Sequence, residues 1–318
     1  MRVLVSGCAG FIGTHFVRYL LDAHDDWRIV GVDALTYAAN LTELTKTREN
    51  ARFAFYHADI ADGEAMREIF ERERPEIVVN LAAESHVDRS IESSAPFLRT
   101  NVLGTGVLLD LSLAYGVARF HQVSTDEVYG DLPFESTECF TEDSPLRPSS
   151  PYSASKASAD LLALSYHRTH GLSVTISRSS NNYGAYQHSE KLIPMAILHA
   201  LRGEPVPVYG TGEHRRDWLH VLDHSRAIDA ILARGRTGEI YNIATGTEIS
   251  NLDLVRRILS LLGKPETLIR FVPDRPGHDR RYPVDTTKIL RELDFSPSVC
   301  FDEAFGEVVN SYCKSSDL

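Results

Sequence analysis

An α/β architecture, a doubly wound parallel sheet with a smaller interleaved α/β lobe, is what this sequence predicts, and three observations predict it. Strand and helix signals alternate from the first residue to about Ser177. Glycines at every third place join the first strand to the first helix. Beyond Arg178 the rhythm loosens, yet no low-complexity linker and no internal repeat separates the two halves. A βαβ alternation gives a parallel sheet covered on both faces. A second half without a linker is woven into the first.

Taken in order, Arg2 to Ser6 reads as a strand, Phe11 to Asp22 as a helix, and Arg28 to Val32 and Phe53 to His57 as strands. Gly63 to Glu73 is helical, Glu76 to Leu81 a strand, and Pro96 to Tyr115 one long helix. Unbroken apolar runs such as Ile77-Val78-Val79 suit strands buried on both sides. Arg119 to Val123 is a further strand, followed by a Pro- and Ser-rich loop. Pro151 suits a first helical position, the helix runs to about Thr169, and Gly171 stops it. Ser173 to Ser177 is a strand, Lys191 to Arg202 a helix, Val206 to Tyr209 a short strand, and Gly210-Thr211-Gly212 a turn. Val221 to Arg234 and Glu239 to Ile243 read as a helix and strand that could rejoin the sheet, and helices at Asn251 to Leu262 and Asp302 to Cys313 complete the chain.

With 318 residues and 43% hydrophobic content the chain can bury a large core, which two lobes would share. A formal charge of −11 argues against nucleic acid or an anionic membrane surface as partner, since either wants a basic face. Cysteines at 8, 139, 300 and 313 form no CxxC and no zinc spacing, which fits a reducing cytoplasm. Met1-Arg2 leads straight into an apolar strand with no sign of a signal peptide. The one stretch long enough to suggest a membrane span, Asn101 to Ala118, carries Asp110 and helical periodicity, so a core-facing helix is expected. The thirteen histidines show no HxxxH or other metal pattern, and no metal is expected.

The turn Gly7-Cys8-Ala9-Gly10-Phe11-Ile12-Gly13 lies between strand and helix. In a Rossmann-type unit the first glycine permits the tight turn, the second lets backbone approach a pyrophosphate, and the third lets helix pack on strand. Asp33 follows the next strand, 20 residues beyond Gly13, where a carboxylate would bond ribose hydroxyls and repel a 2′-phosphate, favouring NAD over NADP. Asp59-Ile60 follows the third strand and could hold the adenine edge; Leu81-Ala82-Ala83 follows the fourth, as close packing or as room for a cofactor.

Between Ser124 and Lys156 the chain gathers Thr125, Asp126 and Glu127 at a strand's C-terminal end, and Tyr152 and Lys156 four apart on a helix. Open α/β sheets place ligands at such strand ends. An ammonium beside a phenol favours the phenolate, making a tyrosine usable as a base. Adjacent carboxyls could equally cap the following turn. If they serve as acid and base, their environments must differ.

Together with Gly7 to Gly13, Asp33, Asn80 to Ser90 and Tyr152-x-x-x-Lys156, the sequence resembles the extended short-chain dehydrogenase/reductases. Within them Thr125-Asp126-Glu127 and Arg275-Pro276-Gly277-His278-Asp279-Arg280-Arg281-Tyr282 are similar to the dTDP-glucose 4,6-dehydratase family. The match runs through Ser179-Asn181-Asn182-Tyr183-Gly184, Glu190 to Pro194 and Arg216-Asp217-Trp218. Cys8, where the family commonly has Gly, departs from the pattern without obviously blocking the turn. The resemblance implies a Rossmann lobe over 1–178 with 221–250 rejoining it, a nucleotide-sugar lobe over 179–220 and 251–318, tightly held NAD, and a homodimer built on the long helices. It places NAD on Gly7, Gly10, Phe11, Ile12, Gly13, Asp33, Ala34, Leu35, Thr36, Asp59, Ile60, Leu81, Ala82, Ala83, Ser85, Thr100, Val123, Tyr152, Lys156 and Asn182. It places the nucleotide sugar on Ser85, Thr125, Asn181, Lys191, Leu192, Pro207, Tyr209, Arg216, Asn251, Arg275 and His278, with Arg216 preferred to its neighbour Arg215 for the phosphates.

The implied reaction turns dTDP-glucose into a 4-keto-6-deoxy sugar and water. Tyr152, with Lys156 and Thr125, would serve C4 oxidation; Glu127 would take the C5 proton; Asp126, kept protonated, would release the C6 hydroxyl. A UDP-hexose dehydratase, a nucleotide-sugar epimerase or decarboxylase, and a silent NAD-binding scaffold remain alternatives. The last would have little need of Thr125, Asp126, Glu127, Tyr152 and Lys156 together.

Overall fold

The computed structural model describes residues 1–315. Its strands, numbered along the chain, are β1 (Arg2–Ser6), β2 (Arg28–Asp33), β3 (Phe53–His57), β4 (Ile77–Asn80), β5 (Arg119–Thr125), β6 (Val174–Ser179), β7 (Asn181–Tyr183), β8 (Val206–Tyr209), β9 (Arg215–His220), β10 (Ile240–Ile243), β11 (Glu248–Ser250) and β12 (Ile269–Val272). Seven of them form one sheet in the order β10-β6-β5-β4-β1-β2-β3, parallel throughout. The chain winds from β1 outward to β3, then returns to lay β4 on the other side of β1. Loops leaving β1 and β4 therefore diverge and open a crevice at their C-terminal ends.

Apolar side chains explain why the sheet is buried twice. Leu4, Val78, Phe120 and Ile176 pack on one face against Met66, Phe70, Leu108 and Ala163. Val3, Val5, Ile29 and Val79 pack on the other against Phe16, Leu20, Ile228 and Leu232. The helix Val221–Arg234 thus covers the first sheet, and β10 pairs with β6 as the sheet's edge. A third core gathers Tyr183, Ile197, Trp218, Leu254, Ile258 and Phe305 under the second lobe, whose strands form a β11-β9-β7 sheet and a β12-β8 pair.

Two local departures from expectation bear on the site. The segment expected as one helix from Pro96 to Tyr115 is Ala95–Phe97 and Thr105–Ala114 joined by a π-helical stretch, Leu98–Gly104. The wider turn points Asn101 inward, where its side-chain oxygen accepts from Glu84 N (2.9 Å) and its amide donates to Ser155 Oγ (2.8 Å). Gly104 lies so close to Ile60 that a Cβ would stand 2.6 Å from its side chain. The helices Leu41–Arg48 and Val87–Glu92 of the first lobe, and β7, β9, β11, β12 and the helix Thr287–Leu293 beyond it, were not expected. They are short, and Arg215-Arg216-Asp217 reads as surface charge although Arg216 and Asp217 are buried.

Candidate active site

The crevice is a cleft of about 550 Å³ between the strand ends of the large sheet and the second lobe. At its floor Gly7 adopts φ +70°, and a Cβ there would meet Ala82 N at 2.7 Å. A Cβ on Gly13 would stand 2.0 Å from Gly7 O, so helix and strand touch only because it is glycine. On Gly10 a Cβ would meet nothing nearer than 3.4 Å, so no protein atom demands a glycine there and the open face suits a close-lying pyrophosphate. Cys8 turns its sulfur into the core against Gly31 and leaves that face clear. Asp33 accepts from Ala9 N (2.9 Å) and Leu35 N (2.8 Å), which ties the end of β2 to the glycine turn. These features fit a dinucleotide.

The inner wall is built by β5 and the helix Pro151–His170. Ser150 caps that helix, accepting from Ser153 N while Ser153 Oγ accepts from Ser150 N, and Gly171 at φ 71° ends it. Such a cap is worth about 1 kcal/mol and fixes Tyr152 in the first turn with Lys156 one turn on. Lys156 Nζ donates to Val123 O (2.6 Å), and burial lowers its pKa to about 8 despite the opposing pull of Asp160. The Tyr152 phenol is pushed strongly upward, by burial first and then by Glu127 and Asp126. The expected pull of Lys156 on the phenol is therefore opposed in this cleft: its ammonium donates to a carbonyl, and burial with Glu127 and Asp126 pushes Tyr152 the other way.

Asp126 and Glu127 do occupy different environments. Asp126 is 3% exposed, and burial, then Glu127 and Asp217, hold its carboxyl well above the usual range. Glu127 is half-buried at the cleft. Thr125 ends β5, donates to Asp126 Oδ1 (3.2 Å) and accepts from Glu127 N (3.2 Å), fixing the turn that separates the two. A buried carboxyl biased toward its protonated form beside a more exposed one is an arrangement that can divide acid and base work.

The outer wall belongs to the second lobe. Of the two adjacent arginines, Arg215 is exposed and Arg216 turns inward, its guanidinium donating to Arg215 O (2.7 Å), Arg280 O (3.2 Å) and Asp279 O (2.8 Å) over the Tyr282 ring. Lys191 Nζ crosses the cleft to Ser85 O (2.8 Å). Asp88, on the helix Val87–Glu92, accepts from Arg275 Nη1 (3.0 Å) and Tyr209 OH (3.1 Å), a second link between the lobes. His278 stacks on His214 at 3.7 Å between ring centres, and its Nδ1 lies 2.7 Å from Asp274 Oδ1. These three side chains approach as a metal-ligand set would, a grouping that sequence spacing hid. Burial, then Arg275 and Arg216, push His278 down to about 3, and that same cationic field opposes a metal ion.

Every expected catalytic and nucleotide-sugar residue lines this one cleft. Of the expected cofactor residues, Asp33, Ala34, Leu35, Thr36, Asp59, Ile60, Ala82 and Thr100 lie outside its lining. Ile60 is a core residue, so only its backbone could meet a ligand. Asp59 is engaged with Arg99 (2.9 Å) and Ala61 N (2.8 Å). Asp88, Glu190 and Tyr282 line the cleft without having been singled out. Asp88 stands three residues beyond Ser85 in a polar run that follows a strand end, a signal that could have found it.

A parallel sheet with a glycine turn at its switch point and a buried Tyr–Lys pair above it is the plan of the extended short-chain dehydrogenase/reductases. The family model described as GDP-mannose 4,6 dehydratase matches residues 4–308, and the chain belongs to that family. Within it, the chain groups with the dTDP-glucose 4,6-dehydratases: it is 47% identical to the one from Haemophilus influenzae over 99% of both chains. The dTDP-glucose 4,6-dehydratase of Streptomyces venezuelae, solved with NAD and a second ligand, superposes with a TM-score of 0.96 at 46% identity, covering 100% of this chain and 98% of that one. A UDP-glucose 4-epimerase from Thermotoga maritima, solved with UDP-glucose, shares the fold at TM-score 0.92 and 32% identity over 99% of this chain and 100% of its own.

Proposed function

We infer that this chain is an NAD-dependent dTDP-glucose 4,6-dehydratase, a lyase that forms dTDP-4-keto-6-deoxyglucose and water. The observation that carries the reading is the unequal carboxyl pair, Asp126 buried and pushed toward its protonated form beside Glu127 at the cleft, both acting on Tyr152. An epimerase needs no acid to expel a hydroxyl; an elimination needs both groups.

NAD would be held by the glycine turn and the ends of β1, β2 and β4, and when bound would supply the acceptor for the C4 hydride and the donor that delivers it to C6. Tyr152 takes the proton of the C4 hydroxyl, and Thr125 hydrogen-bonds the C4 oxygen. Lys156 gives the buried phenolate a nearby cation. The C4 ketone acidifies C5–H, which Glu127 removes. Asp126 donates its proton to the C6 hydroxyl, which leaves as water. Glu127 then returns the proton to C5. Arg216, Lys191 and Arg275 grip the diphosphate, for which Arg offers a two-pronged donor. Asn251 and His278 serve the nucleotide sugar beside them, with Pro207 and Tyr209 near the base.

We also propose that residues 1–178 with 221–250 hold NAD and that 179–220 with 251–318 hold the nucleotide sugar, a division supported by β10 pairing in the large sheet. A homodimer on the helices at 95–115 and 151–170 is supported by Leu98, Leu103 and Leu161, each more than half exposed. No helix of the described residues is long and apolar enough to cross a membrane; a cytoplasmic location remains part of the proposal.

The test is to incubate purified protein with dTDP-glucose, without added NAD, and weigh the product. Loss of one water supports the dehydratase and shows that NAD is carried and recycled. Water loss from UDP-glucose alone would transfer the reading to a UDP-hexose dehydratase, and an isomer of unchanged mass would replace it with an epimerase.

A further inference from the structure

One turn beyond Lys156 on the same helix stands Asp160, a carboxyl with no solvent exposure that the chemistry above does not use. Arg178 on β6 donates to it from Nε at 2.9 Å, and both side chains are almost wholly buried. The guanidinium is braced in turn, with Nη1 donating to Tyr129 OH (3.0 Å) and that hydroxyl donating to Asn242 Oδ1 (2.7 Å). Isolated buried ion pairs rarely stabilise a protein, because desolvation consumes the Coulomb gain. A fully buried carboxyl, held by a buried guanidinium one helical turn from a buried lysine, calls for another account.

Lys156 faces two groups: the Val123 carbonyl of β5, which accepts from it, and Asp160 one turn on along its own helix. Arg178 of β6 and Ser124 of β5 act on Asp160, while Thr125 of β5 and Glu127 and Asp126 of the following turn act on Tyr152. Burial pushes Asp126 upward, toward its neutral form. Asp160 is itself pushed upward by burial, but Arg178, Lys156 and the Ser124 hydroxyl all favour its charged form. It is the anion that opposes the desolvation of Lys156.

We propose that Asp160 is a positioning residue for the reaction: its carboxylate, fixed by Arg178, keeps the Lys156 ammonium charged behind the Tyr152 phenol. This rests on the roles given above to Tyr152 and Lys156. A negative charge raises the proton affinity of both partners, so Asp160 sets where on the pH scale the Tyr152–Lys156 pair works.

The test compares holoenzyme, Asp160→Asn, Asp160→Asn with Arg178→Met, and Lys156→Met. Two quantities are followed against pH: the NMR shift of 13Cε-labelled Lys156, identified by its loss in Lys156→Met, and the single-turnover rate of C4 oxidation with C4-deuterated dTDP-glucose. Asp160→Asn should move the Lys156 midpoint and both limbs of the rate profile to lower pH by on the order of one unit. Adding Arg178→Met removes the positive charge left unbalanced and should bring both part of the way back; this charge-balanced double variant also answers for any folding defect of the single one. An unmoved midpoint, or a profile that loses height without shifting, overturns the proposal and leaves Asp160 a structural residue. A profile insensitive to Lys156→Met would overturn the Lys156 role beneath it; a profile sensitive to Lys156→Met but not to Asp160→Asn overturns the Asp160 proposal alone.

Discussion

The two walls of the cleft are built on opposite principles. The inner wall, from the end of β5 and the helix Pro151–His170, is buried, and burial biases Asp126 and Tyr152 toward their protonated forms and Lys156 toward its neutral one. The outer wall surrounds its cations with acceptors, three backbone carbonyls on Arg216, a carboxylate on Arg275 and a carbonyl on Lys191, although burial pushes the Lys191 ammonium down as it does Lys156. On the roles proposed above, one wall moves protons and the other holds a diphosphate. Damage to the first should lower rates at nearly constant affinity, and damage to the second should lower affinity first.

The largest effect is expected at Tyr152. Replacing it with Phe removes the proton acceptor while keeping the ring, so single-turnover C4 oxidation should fall by on the order of 10³-fold or more, with dTDP binding little changed in calorimetry. A rise in Kd matching the fall in rate would erase the contrast between the walls.

Asp126→Asn comes next and sharpens the inner wall itself. It should slow water loss by roughly 10²- to 10³-fold while C4 oxidation proceeds, so that a 4-keto sugar still bearing its C6 hydroxyl accumulates and can be trapped by borohydride. The pH dependence has a definite sign. A general acid whose pKa is raised stays protonated through neutrality and loses its proton only as pH climbs through that raised value, so elimination in the unmodified enzyme should fall on the alkaline side. The asparagine variant should lack that limb, and a variant profile that kept it would assign the limb to another group. On the outer wall, Arg216→Met should raise KM by on the order of 10²-fold, from about 3 kcal/mol of lost charge-assisted contact, with a smaller change in kcat.

These contrasts also show what the sequence could and could not say. The inner wall is local: Thr125 to Glu127 and Tyr152 to Lys156 each lie on one strand end or one helical turn, and Pro151 and Gly171 mark the helix, so periodicity and caps place them. The outer wall is assembled from Ser85, Lys191, Arg216 and Arg275, which only tertiary packing brings together, and only resemblance grouped them. The π-turn at Leu98–Gly104 was illegible because nothing in Leu-Arg-Thr-Asn-Val-Leu-Gly interrupts a helical pattern; the inward bond of Asn101 to Ser155 that goes with it is a tertiary contact. The direction of the Tyr152 shift was missed for a related reason. Spacing put Lys156 beside the phenol, but not the Val123 carbonyl that occupies the ammonium or the carboxyls that face the ring.

The smallest effect tests whether the walls act separately. Asp88 belongs to the first lobe but grips Arg275 and Tyr209 of the second, and those contacts hold its carboxyl below the usual range despite partial burial. Its side chain is 35% exposed and that of Arg275 23%, so solvent screening limits the pair to roughly 1 kcal/mol or less. Asp88→Asn keeps the size of the side chain and an acceptor for Tyr209 while removing the charge that fixes Arg275. If Asp88 serves mainly to aim Arg275, KM for dTDP-glucose should rise a few-fold, by roughly the factor of five that about 1 kcal/mol allows, with kcat and the pH profile of oxidation unchanged. A fall in KM would instead mean that Asp88 competes with the diphosphate for Arg275. A change in kcat without a change in KM would mean that the link between lobes governs closure over the inner wall, and the two walls would then have to be treated as one device.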